Sequence, residues 1–356
     1  MLFQYTYPEN HSLGHLNDYL IHFVNSIQET HENSDFNLED FFHPDFVDIL
    51  RESPKLLLKF EAFFETFKSL PEASKNQFLT ILTEAQDFEN VFLNIDIDCE
   101  IYKTERIENL IGNKTFKELA DFLFSCVKYD RWDIKGHYEL IYNALEHKIC
   151  PFCGIHPLHK TFREDYDHLA PKAIYPLVSV NPKNLAPMCH DCNSKNKGAK
   201  DILYLANGNR RAFIYPYTQH IAVTINFENS IIPQTDIENP KGKWKIVLNP
   251  NNESTENWNR VFNIKKRYLI DFVIPNYETW LKDFVADCIE DNIDLNDINI
   301  IKSELQRLGS RFRRKWYEQA NIIKGPLFEY LANCDNDLFY NSVRSLFNRI
   351  VNPVQL

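Results

Sequence analysis

Two C-x-x-C pairs, Cys150/Cys153 and Cys189/Cys192, lie near the middle of this 356-residue chain with 35 residues between them. Each pair can present two thiolates to one side of an ion, and one shared ion would close the loop between them. The spacing predicts a tetrahedral four-cysteine zinc site. Four thiolates leave no position for water, so the expected role of that zinc is structural. Residues 150–200 are broken by Pro, Asn and Asp and carry too little apolar content for a core of their own, the setting in which a metal substitutes for one. The remaining cysteines, Cys99, Cys126, Cys288 and Cys334, are scattered. They read as small buried hydrophobes rather than a disulfide set.

The rest of the composition narrows the class. A 44% hydrophobic fraction with 27 Phe and 17 Tyr supports packed cores and excludes general disorder. Nine Gly against 17 Pro argues against a glycine-rich barrel, propeller or collagen-like chain. No apolar run approaches the ~18 residues that a membrane span needs, so no membrane partner is expected. The opening stretch MLFQYTYPENHSLGHLNDYL lacks the basic region and cleavage site of a signal peptide. A cytoplasmic protein of two or three domains is expected, on a prior of ~100–200 residues each.

Charge is unevenly placed. The net −11 comes from residues 1–100, where 5 basic residues face 19 acidic ones, a net −14. Residues 150–210 hold 8 basic and 5 acidic residues, a net +3, and the other segments balance. Local field steers a polyanion, so overall acidity does not exclude a nucleic-acid substrate.

Apolar residues recur at helical spacing in the N-terminal third: Leu16, Leu20, Phe23 and Ile27; Leu57, Phe60, Phe64 and Phe67; Phe116, Leu119, Phe122 and Leu123. Such aromatic stripes read as core packing. Thr115 followed by Glu118 predicts a capping box at the start of the third helix. HIAVTINF and KWKIVLNP read as short strands joined through IENPKGK, and from about Thr255 the pattern is helical again.

Between and after the cysteine pairs lie Asp167-His168, then Leu169-Ala170-Pro171, then Asn184-Leu185 and finally Asn193 directly after Cys192. This pattern resembles the HNH endonucleases, or ββα-metal nucleases, in their zinc-supported four-cysteine branch. The resemblance covers about 50 residues, and Asn193 in place of a third His makes it the H-N-N variant. It implies a metal-dependent nuclease that cuts nucleic acid, double-stranded DNA first and RNA as the other candidate. It also implies an α+β architecture with mostly helical flanks around a small zinc-braced ββα-metal module. The expected segments are an acidic helical domain at 1–130, the nuclease module at 131–210, and a short hairpin with helices at 211–356.

Phosphodiester hydrolysis assigns roles to these residues. A neutral imidazole can take the proton of the attacking water, which suits His168 as general base. Charge gathering on the phosphate oxygens calls for a hard divalent ion, Mg²⁺ or Mn²⁺, for which Asp167 and the Asn193 carbonyl are the expected donors. Neighbours on a strand point to opposite faces, so Asp167 and His168 can serve metal and water separately. By the resemblance, Asn184 braces the loop and orients the imidazole. Lys195, Lys197 and Lys200 read either as phosphate contacts or as a solvated helix face. His156, His159 and His190 read as surface or packing residues.

Arg307, Arg311 and Arg314, with Arg313 and Lys315, form a cationic ridge beside Trp316 and Tyr317. It reads equally as a duplex contact, led by Arg311 and Arg314, or as a partner for the chain's own acidic helices. The acidic block offers a docking surface for a protein partner, or a solvated surface that keeps the chain dispersed. Two rival functions stand beside the nuclease: a zinc ribbon that grips nucleic acid without cutting, and a nuclease subunit active only with a partner such as an ATPase. By analogy, the biological setting is restriction or antiviral defence against phage.

Overall fold

The computed structural model describes residues 2–128, 130–161, 166–220, 223–233 and 242–352. Helices dominate and two small antiparallel sheets accompany them, so the architecture is α+β. The chain divides into two compact units. The first holds residues 3–148 and 158–220, and the second holds 149–157 with the described part of 221–356.

The first unit is built on aromatic packing. Helix His15–Ser26 buries Leu16, Leu20 and Phe23, and Ile27 is buried just past its end. Helix Pro54–Lys68 buries Phe60, Phe64 and Phe67 as spaced. It adds Leu56 and Phe63, while Leu57 is only half-buried. Helix Thr115–Cys126 buries Phe116, Leu119 and Leu123 and leaves Phe122 half-buried. Phe116 meets Phe63 and Phe78 edge-on at 5.2 and 5.0 Å between ring centroids, the arrangement that ring quadrupoles favour.

The start of helix Thr115–Cys126 departs from expectation. Asn113 Oδ1 accepts the Thr115 N–H at 3.0 Å, while the Glu118 carboxylate reaches Lys59 at 2.6 Å. The capping box is therefore not formed, because a lysine of the neighbouring helix takes its glutamate.

Strand β1 (Tyr166–His168) pairs antiparallel with β2 (Leu185–Pro187), setting Asp167 opposite Ala186 and His168 opposite Leu185. Tyrosine hydroxyls hold β2 from outside. Tyr5 donates to the Pro187 carbonyl, Tyr217 to Leu185, and Tyr215 to Lys183 just before the strand. The chain then enters a π-helical segment, Asp191–Lys197, which ends at Gly198 with φ +50°. That conformation suits a residue without Cβ.

In the second unit, β3 (Thr224–Asn226) and β4 (Val247–Asn249) pair antiparallel with Ile225 opposite Leu248. These are the two expected strands. Most of the IENPKGK turn between them lies outside the described residues. Helices Glu253–Phe262, Ile274–Glu290, Ile298–Arg314, Asn321–Asn333 and Asp337–Val351 follow. Two of them, Ile298–Arg314 and Asn321–Asn333, approach backbone to backbone at Gly309 and Gly325. A Cβ on Gly309 would stand 2.9 Å from the Glu329 nitrogen. Among the described residues, no helix is long and apolar enough to cross a membrane.

Candidate functional site

The four expected zinc cysteines come together. The Sγ atoms of Cys150, Cys153, Cys189 and Cys192 all lie within 4.8 Å of one another, and all four residues are buried. Four thiols at that separation could hold a structural metal ion, and the soft donor set is compatible with zinc.

Local hydrogen bonds shape each knuckle. The Cys150 carbonyl accepts from Cys153 N–H at 3.3 Å and from Gly154 N–H at 2.8 Å, and Cys150 N–H donates to the His156 carbonyl at 2.8 Å. Gly154 has φ +66°, and a Cβ there would stand 2.4 Å from Leu2 Cδ1. Trp258 Nε1 donates to the Phe152 carbonyl at 2.9 Å and the Tyr268 hydroxyl to the Cys153 carbonyl at 2.6 Å. In the second knuckle Asn193 N–H donates to the Cys189 carbonyl at 3.0 Å, and the His190 side chain between the cysteines is exposed, as expected. His159 is exposed too, and His156 is half-buried.

Cys99, Cys126 and Cys288 are buried, and Cys334 is half-buried. Burial raises the thiols of Cys99 and Cys288 to about 11 and about 12, which makes them poor nucleophiles.

His168 is 5% exposed on β1, with the Phe124 ring 4.3 Å from its own. Its Nε2 lies 2.8 Å from the Ser179 carbonyl oxygen. A carbonyl can only accept, so Nε2 carries the proton and Nδ1 is the basic nitrogen of the neutral ring. Burial pulls the imidazole down from 6.5 to about 4. The Ser179 carbonyl opposes that fall, and the nearby Lys197 and Lys172 charges add to it. The ring is therefore neutral at pH 7, the state a base requires.

Asn184 is fully buried and uses its whole amide. Oδ1 accepts from Ala170 N–H at 2.8 Å, and Nδ2 donates to the carbonyls of Ala170 and Val178, each at 3.0 Å. Those bonds fix the loop on both sides and set the peptide next to Ser179, whose carbonyl holds His168.

Asp167, on the other face of β1, forms an ion pair with Lys197, Nζ to Oδ2 at 2.8 Å. Lys197 was expected on a surface with Lys195 and Lys200. It is buried instead, because the π-helical turn brings it onto the β1 carboxylate. Sequence reasoning missed this pairing, since no spacing rule links a strand residue to a lysine thirty positions on. Lys195 is exposed and pairs with Asp191 at 2.6 Å, and Lys200 is half-buried. Asn193 is half-buried in the segment that carries Lys197.

The cationic ridge lies on helix Ile298–Arg314 and just beyond. Arg307 pairs with Glu304 and Asp291, Arg313 with Glu329, and Lys315 with Glu318, all within the second unit. Arg311 and Arg314 are exposed.

Comparison with known proteins adds one partial likeness. The chain is 49% identical over 89 residues to Protein ea31 of Escherichia phage lambda. The match takes in 25% of this chain and 28% of that protein's length. No family model and no solved structure matches the chain.

Proposed function

We propose that the chain is a zinc-braced, metal-dependent endonuclease of the HNH type that hydrolyses phosphodiester bonds, with double-stranded DNA as the first substrate. The observation that carries this reading is the β1–β2 hairpin, where a buried neutral His168 points Nε2–H at a carbonyl and keeps Nδ1 as base. A zinc ribbon that only grips nucleic acid needs no such imidazole.

The four cysteines fit the zinc of this reading, and for its second ion the chain offers the oxygens of Asp167 and Asn193. Four thiols within 4.8 Å suit zinc, which would serve as scaffold. The Asp167 carboxylate already faces one cation, Lys197, and carboxylate and amide oxygens are the hard donors that Mg²⁺ or Mn²⁺ prefers. Asp167 and Asn193 would hold that ion. When bound, it supplies Lewis-acid stabilisation of the charge that develops on the phosphate.

The chain's own residues do the rest. His168 takes the proton of the attacking water at Nδ1, and its Nε2 bond to Ser179 keeps the ring from turning. Asn184 bonds the preceding carbonyl, that of Val178, and so fixes the turn on which Ser179 sits. The strand separates the base from the carboxylate by sending neighbouring side chains to opposite faces. The partial likeness to a phage protein supports a phage-related role, either as a phage enzyme or as an effector acting against phage.

The test is to incubate the zinc-loaded protein with plasmid and with RNA, with and without Mg²⁺ or Mn²⁺, and to map the ends. The reading predicts metal-dependent cuts that leave 5′-phosphate and 3′-hydroxyl. Binding without cleavage under every metal condition would favour the zinc ribbon.

A further inference from the structure

The ion pair between Lys197 and Asp167 is more than a surface contact. The Lys197 side chain is 1% exposed and that of Asp167 16%. Nζ also donates to the Gly198 carbonyl at 3.2 Å. An ammonium removed from water loses several kcal/mol of solvation, so a lysine this deep needs an opposite charge to hold it.

Asp167 is the carboxylate assigned above to the divalent ion, and the inference rests on that reading. Mg²⁺ bonds oxygen at about 2.0–2.1 Å. A dication at that distance and an ammonium 2.8 Å from the same oxygen repel each other where little water screens them. We propose that Lys197 is an internal counter-ion of Asp167 which the divalent ion displaces, so that loading the site is a competition between metal and the chain's own ammonium.

The surrounding backbone suits such an exchange. Asn193 and Lys197 sit four residues apart in one π-helical segment, so the same segment carries the proposed amide donor and the competing cation. The backbone carbonyl of Asn193 accepts from Gly198 N–H at 2.7 Å, the wide ring of a π turn, which recurs at functional sites. Gly198, directly after the lysine, holds φ +50° and can absorb a change in backbone direction at low steric cost. Apparent metal affinity is scaled by the fraction of molecules whose lysine is away from the carboxylate. With that fraction about a tenth or less, a variant lacking the ammonium binds about tenfold tighter or more.

The experiment titrates Mn²⁺ into zinc-loaded, full-length protein and reads the free ion by electron paramagnetic resonance. Wild type is compared with Lys197→Met, Lys197→Gln and Asp167→Asn. The lysine variants should bind Mn²⁺ about tenfold tighter or more, and Asp167→Asn should lose the site. In wild type, acetylation mapped by mass spectrometry should spare Lys197 without metal and modify it at saturating Mn²⁺. Unchanged or weaker binding in both lysine variants, with the site lost in Asp167→Asn, overturns the competition and leaves the nuclease reading intact. Protection of Lys197 that persists with Mn²⁺ bound also overturns it, whether or not the variants fold. Binding that survives Asp167→Asn overturns the metal assignment and the competition together.

Discussion

The general base proposed above, His168, is buried on β1 beside the Phe124 ring. Burial holds His168 at about 4 against an ordinary 6.5, so between those values the unfolded chain binds a proton that the folded chain refuses. The stability contributed by the neutral buried ring is complete above pH 6.5 and is lost as the pH falls toward 4. The loss amounts to about 3 kcal/mol. His137 behaves likewise, since burial brings it to about 3. Replacing His168 by Gln should therefore reduce, without abolishing, the fall in denaturant stability between pH 6.5 and 4, by up to about 1.4 kcal/mol per pH unit. Unfolding curves across that range check it. Equal slopes in variant and wild type would mean that the ring is not buried as described.

Single elements carry the site. The loop from Leu169 to Asn184 carries two short 3-10 turns, and one buried amide ties it together with three hydrogen bonds. Asn184→Ala leaves buried backbone groups unpaired, at about 1–3 kcal/mol each, so its melting temperature should drop clearly while zinc content holds. The knuckles respond differently. Cys189→Ser should lower bound zinc from about one per chain and unfold the segment around it, because structural zinc contributes on the order of 10–16 kcal/mol in small domains. Elemental analysis with circular dichroism separates the two cases. Zinc in the cysteine variant equal to wild type would remove Cys189 from the metal site.

The sequence made these elements legible to different depths. The cysteine knuckles, the aromatic helix faces and the two short strands after residue 220 were readable because each obeys a local spacing. The Asn113 cap, the Lys59–Glu118 pair and the Lys197–Asp167 pair were not. Each depends on which neighbouring element supplies the partner, and periodicity within one segment carries no record of that.

At the scale of the whole molecule, the uneven charge remains the feature with the widest consequence. Residues 1–100 carry −14. Some of that charge is satisfied locally, as where Arg51 pairs with Glu39 and Asp48. If the block restrains the proposed nuclease or docks a partner, neutralising Glu32, Asp35, Glu39 and Asp40 should raise DNA affinity or weaken a partner complex. The effect should shrink as salt shortens the Debye length, which is ~8 Å at physiological ionic strength. DNA binding titrated at low and high salt checks this, and no change at either salt would leave the block as a solvated surface.

His168 is proposed above as the general base of a phosphodiester hydrolysis. The most direct measurement is single-turnover cleavage of plasmid DNA in Mg²⁺ or Mn²⁺ by wild type and by His168→Ala, at matched zinc content and DNA affinity. Wild type should cut, and the variant should be slower by about 10²–10⁴-fold, the usual contribution of a positioned base. Cleavage by His168→Ala at the wild-type rate would contradict it.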